Sequence, residues 1–291
     1  MARIYLILLI GIIIVSFGSI IVRWTGEVPP GIIAFYRVFL ASLLLSVYTF
    51  KKDPKRIFNR PHWHYFIAGA LLAIHFITWI ASLQITTIAH SIFLVSTHPL
   101  FAVLFSGFFL REFPALRTAP SFLIAIFGMY LIVSQDIGGG EYYIIGDLLA
   151  VLSAISFAGY LLIARLHRSR GDFLVYLILV YTTAAVVCAG FSLLQGDNFS
   201  GYSWTSWLMM VLLAIGPHLS GHSILNWCSR QMAVFKVNLA LLLEPVIATI
   251  GGILIFNELP RPLFYVGAAC ILAALLYLLY AERLPDQKIS T

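Results

Sequence analysis

Long apolar runs interrupted by short polar clusters dominate the chain. Between Pro61 and Leu110 there is no Asp, Glu, Lys or Arg, and as one helix that run would be about 75 Å long. A helix that crosses a bilayer needs about 20 apolar residues, so the run folds back on itself. The cluster Gln84-Ile85-Thr86-Thr87-Ile88-Ala89-His90 is its natural turn. The same reasoning divides 173–229, whose single charge, Asp197, lies in Gln195-Gly196-Asp197-Asn198. Applied along the whole chain it predicts ten helices, near 4–22, 31–50, 64–84, 90–110, 117–135, 144–164, 173–194, 203–228, 237–256 and 262–281. The runs are continuous rather than alternating, which disfavours membrane strands. The first run begins at Arg3, is longer than the apolar core of a secretory leader and has no small-x-small site before Arg23, so it reads as a retained span.

Composition fixes the solvent. Of 291 residues 61% are apolar and 10% charged, against about half and about a quarter in an ordinary soluble domain. Mean hydropathy is +0.96, which points to the lipid bilayer as the main partner of the surface and excludes a soluble enzyme. The sequence pI of about 9.3 does not imply nucleic acid, because Lys and Arg are not gathered on a soluble domain. Cys188, Cys228 and Cys270 sit in apolar runs without CxxC spacing and read as small core residues. Basic residues set the orientation. With the N-terminus in the cytoplasm, fifteen of the eighteen fall in inside segments, Arg23 and Arg261 fall outside, and Arg37 lies within a helix. Gaining or losing one span would scramble that split. The expectation is a multi-pass protein of the plasma (inner) membrane with both termini cytoplasmic.

The two halves resemble each other. Ser16-Phe17-Gly18 aligns with Ser156-Phe157-Ala158 at an offset of 140. At an offset of 146, His98-Pro99 aligns with Glu244-Pro245, Ala102 with Ala248, Glu112 with Glu258 and Pro114 with Pro260. Both stretches belong to the fourth helix in a set of five. An odd number of helices makes the second copy enter the membrane from the opposite side, and such inverted repeats are the usual basis of alternating access. The predicted division is a first five-helix repeat over 1–138 and a second, inverted one over 139–291, so the fold class is an all-α membrane protein of ten transmembrane helices.

Ten helices in two repeats, the Glu112–Pro114 and Asn257–Pro260 junctions and an arginine in the second helix together resemble the drug/metabolite transporter superfamily, EamA-type. The resemblance covers nearly the whole chain. It implies a ten-helix bundle whose central cavity moves small metabolites, often amino acids or amines, across the inner membrane. Helix 1 of such proteins commonly carries Trp-Gly where this chain has Phe17-Gly18, so the cavity wall is expected to differ there.

Polar residues at bilayer depth are functional candidates by default. Glu244 lies two turns into helix 9, and Pro245 after it frees carbonyls one turn earlier, so the carboxylate can bind a cation or take a proton. His98-Pro99 is its counterpart in the first half. Arg37 either clamps a substrate carboxylate or braces the bundle. The recurrence of helix 2 arginines among such transporters inclines that choice towards bracing. Helix 8 carries His218, His222 and Asn226, spaced by four and hence on one face. Helix 3 offers His75 and Trp79 at the same spacing, with Thr78 and Ser82 nearby. Asp147 reads as an interfacial carboxylate at a helix start. Trp24, Trp63, Trp204 and Trp207 read as interfacial belt. Tyr36, Trp79, Phe17, Tyr160 and Trp227 would suit a planar or quaternary-ammonium group if they face the cavity.

The substrate-binding or coupling set is therefore Glu244, His98, Trp79, His75, Asn226, His222, Arg37 and Tyr36. No catalytic or resident-metal site is expected and no cofactor motif is present: there is no Gly-x-x-x-x-Gly-Lys loop, and Gly138-Gly139-Gly140 follows a span rather than a strand. His218-Leu-Ser-Gly-His222 lacks the Glu of HExxH. The leading reading is a secondary transporter or exporter of a small zwitterion or cation, with proton coupling through Glu244 one use of that carboxylate. Transition-metal transport or an intramembrane enzyme using the buried histidines is the alternative. The oligomeric state is left open.

Overall fold

The computed structural model describes residues 2–53, 55, 63–85, 91, 94–134, 144–168, 172–256 and 262–281. Among the described residues every regular element is helical. The first half supplies α1 (Ala2–Arg23), α2 (Pro30–Lys52), α3 (His64–Ile85), α4 (His98–Phe105, continued by a π turn over Ser106–Leu110) and α5 (Ala119–Ser134, entered through a 3-10 turn over Leu116–Thr118). The second half supplies α6 (Ile144–Leu166) and α7 (Phe173–Gln195). In α8 a π segment, Ala214–His222, joins Trp204–Leu213 to Ser223–Gln231. In α9 a 3-10 turn, Leu241–Leu243, joins Val234–Ala240 to Glu244–Phe256, and α10 (Pro262–Ala281) is the last described helix. Among the described residues eight helices are long and apolar enough to cross a membrane, and two shorter apolar helices, His98–Leu110 and Leu116–Ile132, accompany them.

The sequence places these helices within about three residues, with one exception. The fourth, expected from residue 90, is interrupted rather than continuous: Ser91, Leu94 and Val95 are helical, Ser96 and Thr97 form a turn, and the helix resumes at His98, while 86–90 and 92–93 lie outside the described residues. The Gly138–Gly140 linker, the 138/139 division and the Asn257–Pro260 junction lie outside them too.

Local chemistry explains the ends and breaks. Pro30 and Pro262 occupy first-turn positions, where a missing N–H costs nothing. The Asp172 carboxylate accepts the Leu174 N–H at 2.8 Å and caps α7. Gly196, at φ 75°, ends that helix in the left-handed conformation. Pro217 lies inside the π segment, and its ring would clash with the Leu213 carbonyl in a regular helix. Pro245 likewise follows the tightened Leu241–Leu243 turn.

The broadest contacts join a helix of the first half to one of the second: α3 with α6, α5 with α10, α2 with α7, α3 with α7, α1 with α8, α4 with α6, and α1 with α9. This pattern is unchanged when each helix is exchanged for the one five places away, α2 with α8 standing for α7 with α3. Small residues permit the approach. A β-carbon on Gly128 would stand 2.7 Å from the Gly267 carbonyl oxygen, and one on Gly267 would meet the Gly128 carbonyl oxygen in return. Ile32, Val38, Ala68 and Leu72 form part of the buried core. Outside it, Phe108, Leu123, Leu194 and Leu254 are exposed apolar side chains of the kind a bilayer covers. Cys188 and Cys228 are buried, Cys270 is half-buried, and all three are free thiols.

Candidate functional site

A polar and aromatic cluster runs through the middle of the bundle, built from α2, α3, α4, α6, α7, α8 and α9. In α2, Arg37 is buried at 3% exposure, with its guanidinium carbon 4.1 Å from the centre of the Phe76 ring in α3. Two imidazoles of the α8 π segment meet that ring edge-on, His218 at 5.6 Å and His222 at 5.2 Å. The two imidazoles lie 5.1 Å apart, and Tyr181 of α7 is 4.2 Å from His218. Arg37 is within electrostatic reach of Glu244, Tyr181 and Tyr160. Glu244 itself is half-buried at the start of the second part of α9.

Asn226, one α-helical turn after His222, organises the tyrosines. Its Nδ2 donates to the Tyr160 hydroxyl and to the His222 carbonyl at 2.8 Å, and its Oδ1 accepts from the Tyr176 hydroxyl at 3.1 Å. The Tyr181 and Ser223 hydroxyls are 3.0 Å apart. A second lobe holds the other histidines. His75 Nδ1 is 2.8 Å from Ser153 Oγ, and the same hydroxyl is 3.1 Å from the His75 carbonyl. The Trp79 and His75 rings are parallel within 2°, their centres 6.3 Å apart. His98 Nδ1 is 2.8 Å from Asn238 Oδ1, so the imidazole donates there. Phe157 joins the lobes, packing on His75 at 4.7 Å, His98 at 5.3 Å and His222 at 6.1 Å.

Seven of the eight expected site residues belong to this assembly. Tyr36 does not. Its hydroxyl donates to the Phe199 carbonyl at 2.6 Å and its ring meets Phe35 and Trp207, both at 4.8 Å. Neighbours on an α-helix point about 100° apart, which takes Tyr36 away from the face that carries Arg37. Trp207, expected in an interfacial belt, is half-buried in that aromatic group, whereas Trp24, Trp63 and Trp204 are exposed. Asp147 lies in the first turn of α6, as expected, and is buried there. Phe17 lines an apolar groove of about 300 Å³ between α1 and α8 with Ile21, Leu212 and Pro217, outside the central cluster. Ser153, Asn238, Tyr176, Tyr181 and Phe76 were not singled out by the sequence. For the first four the signal was the need of any hydroxyl or amide at bilayer depth for a partner on a neighbouring helix; Phe76 gave none.

Among the described residues no three His, Cys, Asp or Glu side chains come together as a metal ion would require. This geometry gives the metal-transport alternative no support.

At one end of the bundle Glu112, just past α4, is an ionic hub. It pairs with Arg165 at 2.7 Å and Arg168 at 3.4 Å. Arg165 also donates to the Arg230 carbonyl at 3.2 Å, and Arg230 donates to the Arg168 carbonyl at 2.7 Å. The ends of α4, α6 and α8 are thereby tied together. All four side chains belong to segments expected on the cytoplasmic side.

A family model, the EamA-like transporter family, matches residues 2–134 and 144–280. A riboflavin transporter of Brucella anthropi is 24% identical over 281 residues, covering 90% of this chain and 93% of its own length. An S-adenosylmethionine uptake transporter of Rickettsia bellii is 26% identical over 263 residues, covering 86% and 84%. A crystal structure at 18% identity superposes with a TM-score of 0.84, over 97% of this chain and 99% of that one.

Proposed function

Because this chain belongs to the EamA-like transporter family, and is therefore a membrane transporter rather than an enzyme, we propose that it carries a small zwitterionic or cationic organic metabolite by alternating access. The two halves, 1–138 and 139–291, would be the inverted repeats that rock about a common axis. Two matches of one family model and the half-to-half helix contacts support that division.

The observation that carries the substrate reading is the central cluster. It brings a guanidinium (Arg37), a carboxylate (Glu244), four imidazoles and several aromatic rings to one place, from both halves. Charge of both signs with aromatic faces suits a molecule that has an amine, an acid and a planar ring. Riboflavin and S-adenosylmethionine, for which the relatives are named, each contain a fused heteroaromatic ring. Glu244 exchanges a proton for substrate in this reading, and both termini are cytoplasmic.

Purified protein in proteoliposomes, tested for uptake and efflux against a radiolabelled panel of amino acids, amines, riboflavin and S-adenosylmethionine, with and without a pH gradient, tests this. Saturable movement of one ligand class, driven by the gradient, is expected. Movement of none of them would overturn the substrate class.

A further inference from the structure

Four nitrogens in the central cluster are buried without a hydrogen-bond partner among the described residues: Arg37 Nε, both ring nitrogens of His218, and Nδ1 of His222. His218 is 0% exposed, His222 4% and Arg37 3%. Groups buried this deeply are nearly always paired, and leaving several unpaired in one place disfavours the fold. Elsewhere in the same cluster the rule is obeyed, since Asn226, His75, His98 and Tyr176 all have partners within 3.2 Å. Within the cluster the unpaired nitrogens are grouped: all of them belong to side chains that meet the Phe76 ring, Arg37 over its face and the two imidazoles steeply inclined to it.

Their chemistry is one-sided. A guanidinium only donates, and a histidine ring has at least one N–H to offer. The group that satisfies them together has several acceptor lone pairs and negative charge, and a carboxylate has both. Glu244, the cluster's own acid, is within electrostatic reach of Arg37, but no hydrogen bond or ion pair joins the two among the described residues. Arg37 stands over an aromatic face rather than on a backbone carbonyl, which leaves its Nε open to a ligand.

We propose that Arg37, His218 and His222 form a carboxylate-recognition subsite, in which His218 is a specificity-determining residue that donates to the substrate's acid group. The inference rests on the transport reading for the identity of the ligand as cargo. His218 and His222 both lie in the π segment, four residues apart, with ring centres 5.1 Å apart and ring planes tilted by 31°.

The test is equilibrium binding to the full-length protein in lipid nanodiscs with matched pairs that differ only in the acid: S-adenosylmethionine and its decarboxylated form, tryptophan and tryptamine, phenylalanine and phenethylamine. At least one acid is expected to bind about tenfold or more tighter than its amine. In His218→Phe and Arg37→Gln that preference is expected to disappear while amine binding persists. His218→Phe is also expected to melt no lower than the wild type without ligand, because it removes unpaired nitrogens from an aromatic environment, and His218→Asn is expected to restore part of the preference. No binding by any acid, an equal affinity for acid and amine, or an acid preference that survives His218→Phe would each overturn the proposal. Acid-dependent binding with no movement of the same compound in proteoliposomes would count against the transport reading and leave the subsite standing.

Discussion

At the scale of the residue, Asn226 shows how a buried polar group becomes structural. Its amide holds two tyrosine hydroxyls and the carbonyl of His222. Asn226→Ala would strand the Tyr176 hydroxyl and take one partner from that of Tyr160, which keeps Tyr181, so a loss of about 1–3 kcal/mol is expected, read as a lower melting temperature in detergent. An unchanged melting curve would mean that the amide does not hold the tyrosines. Glu244 is different, because it is half-buried and its role in the proposed cycle depends on gaining and losing a proton. Glu244→Gln keeps the shape and removes that titration. The variant is expected to exchange substrate at equal pH yet lose accumulation driven by a proton gradient. Gradient-driven accumulation at the wild-type level would reduce the residue to a structural part. The sequence disclosed both of these residues because a polar group in a 20-residue apolar run is conspicuous. It could not disclose that Tyr36 faces away from Arg37, or that Asn238, 140 residues along the chain, is the partner of His98.

At the scale of the element, helix existence and ends were legible for physical reasons. Bilayer thickness sets the length of an apolar run, and Gly196, Asp172 and the prolines punctuate it where backbone chemistry demands. The internal form of α8 was less legible. A spacing of four reads as one α-helical face, and only the position of Pro217 hinted that nine residues would widen into a π segment. The seam between α5 and α10 supplies a test at this scale. Gly128 and Gly267 approach backbone to backbone, so Gly267→Val forces the helices apart. An overpacking cost of about 1–3 kcal/mol is expected, visible as reduced thermal stability. A variant as stable as the wild type would show that the seam yields freely.

At the scale of the whole molecule, the count of charges predicts an orientation with both termini cytoplasmic. A reporter active only outside the membrane is expected to give signal when fused after Asp197 and none when fused after Arg56; the opposite pattern would overturn the orientation and with it the repeat alignment. The hub around Glu112 bears on a different property. One carboxylate serves two arginines, and three helix ends depend on it. If those ends part during the transport cycle, the hub must open whatever cargo lies in the centre, because none of its groups belongs to the central cluster. Its strength would then govern the frequency of the cycle equally for every compound carried, and choice among compounds would rest with the cluster. Arg168 is largely exposed and Glu112 partly so, which leaves that common step open to screening by dissolved ions. The pace of the carrier would follow the ionic strength beside the membrane while its preferences stayed fixed.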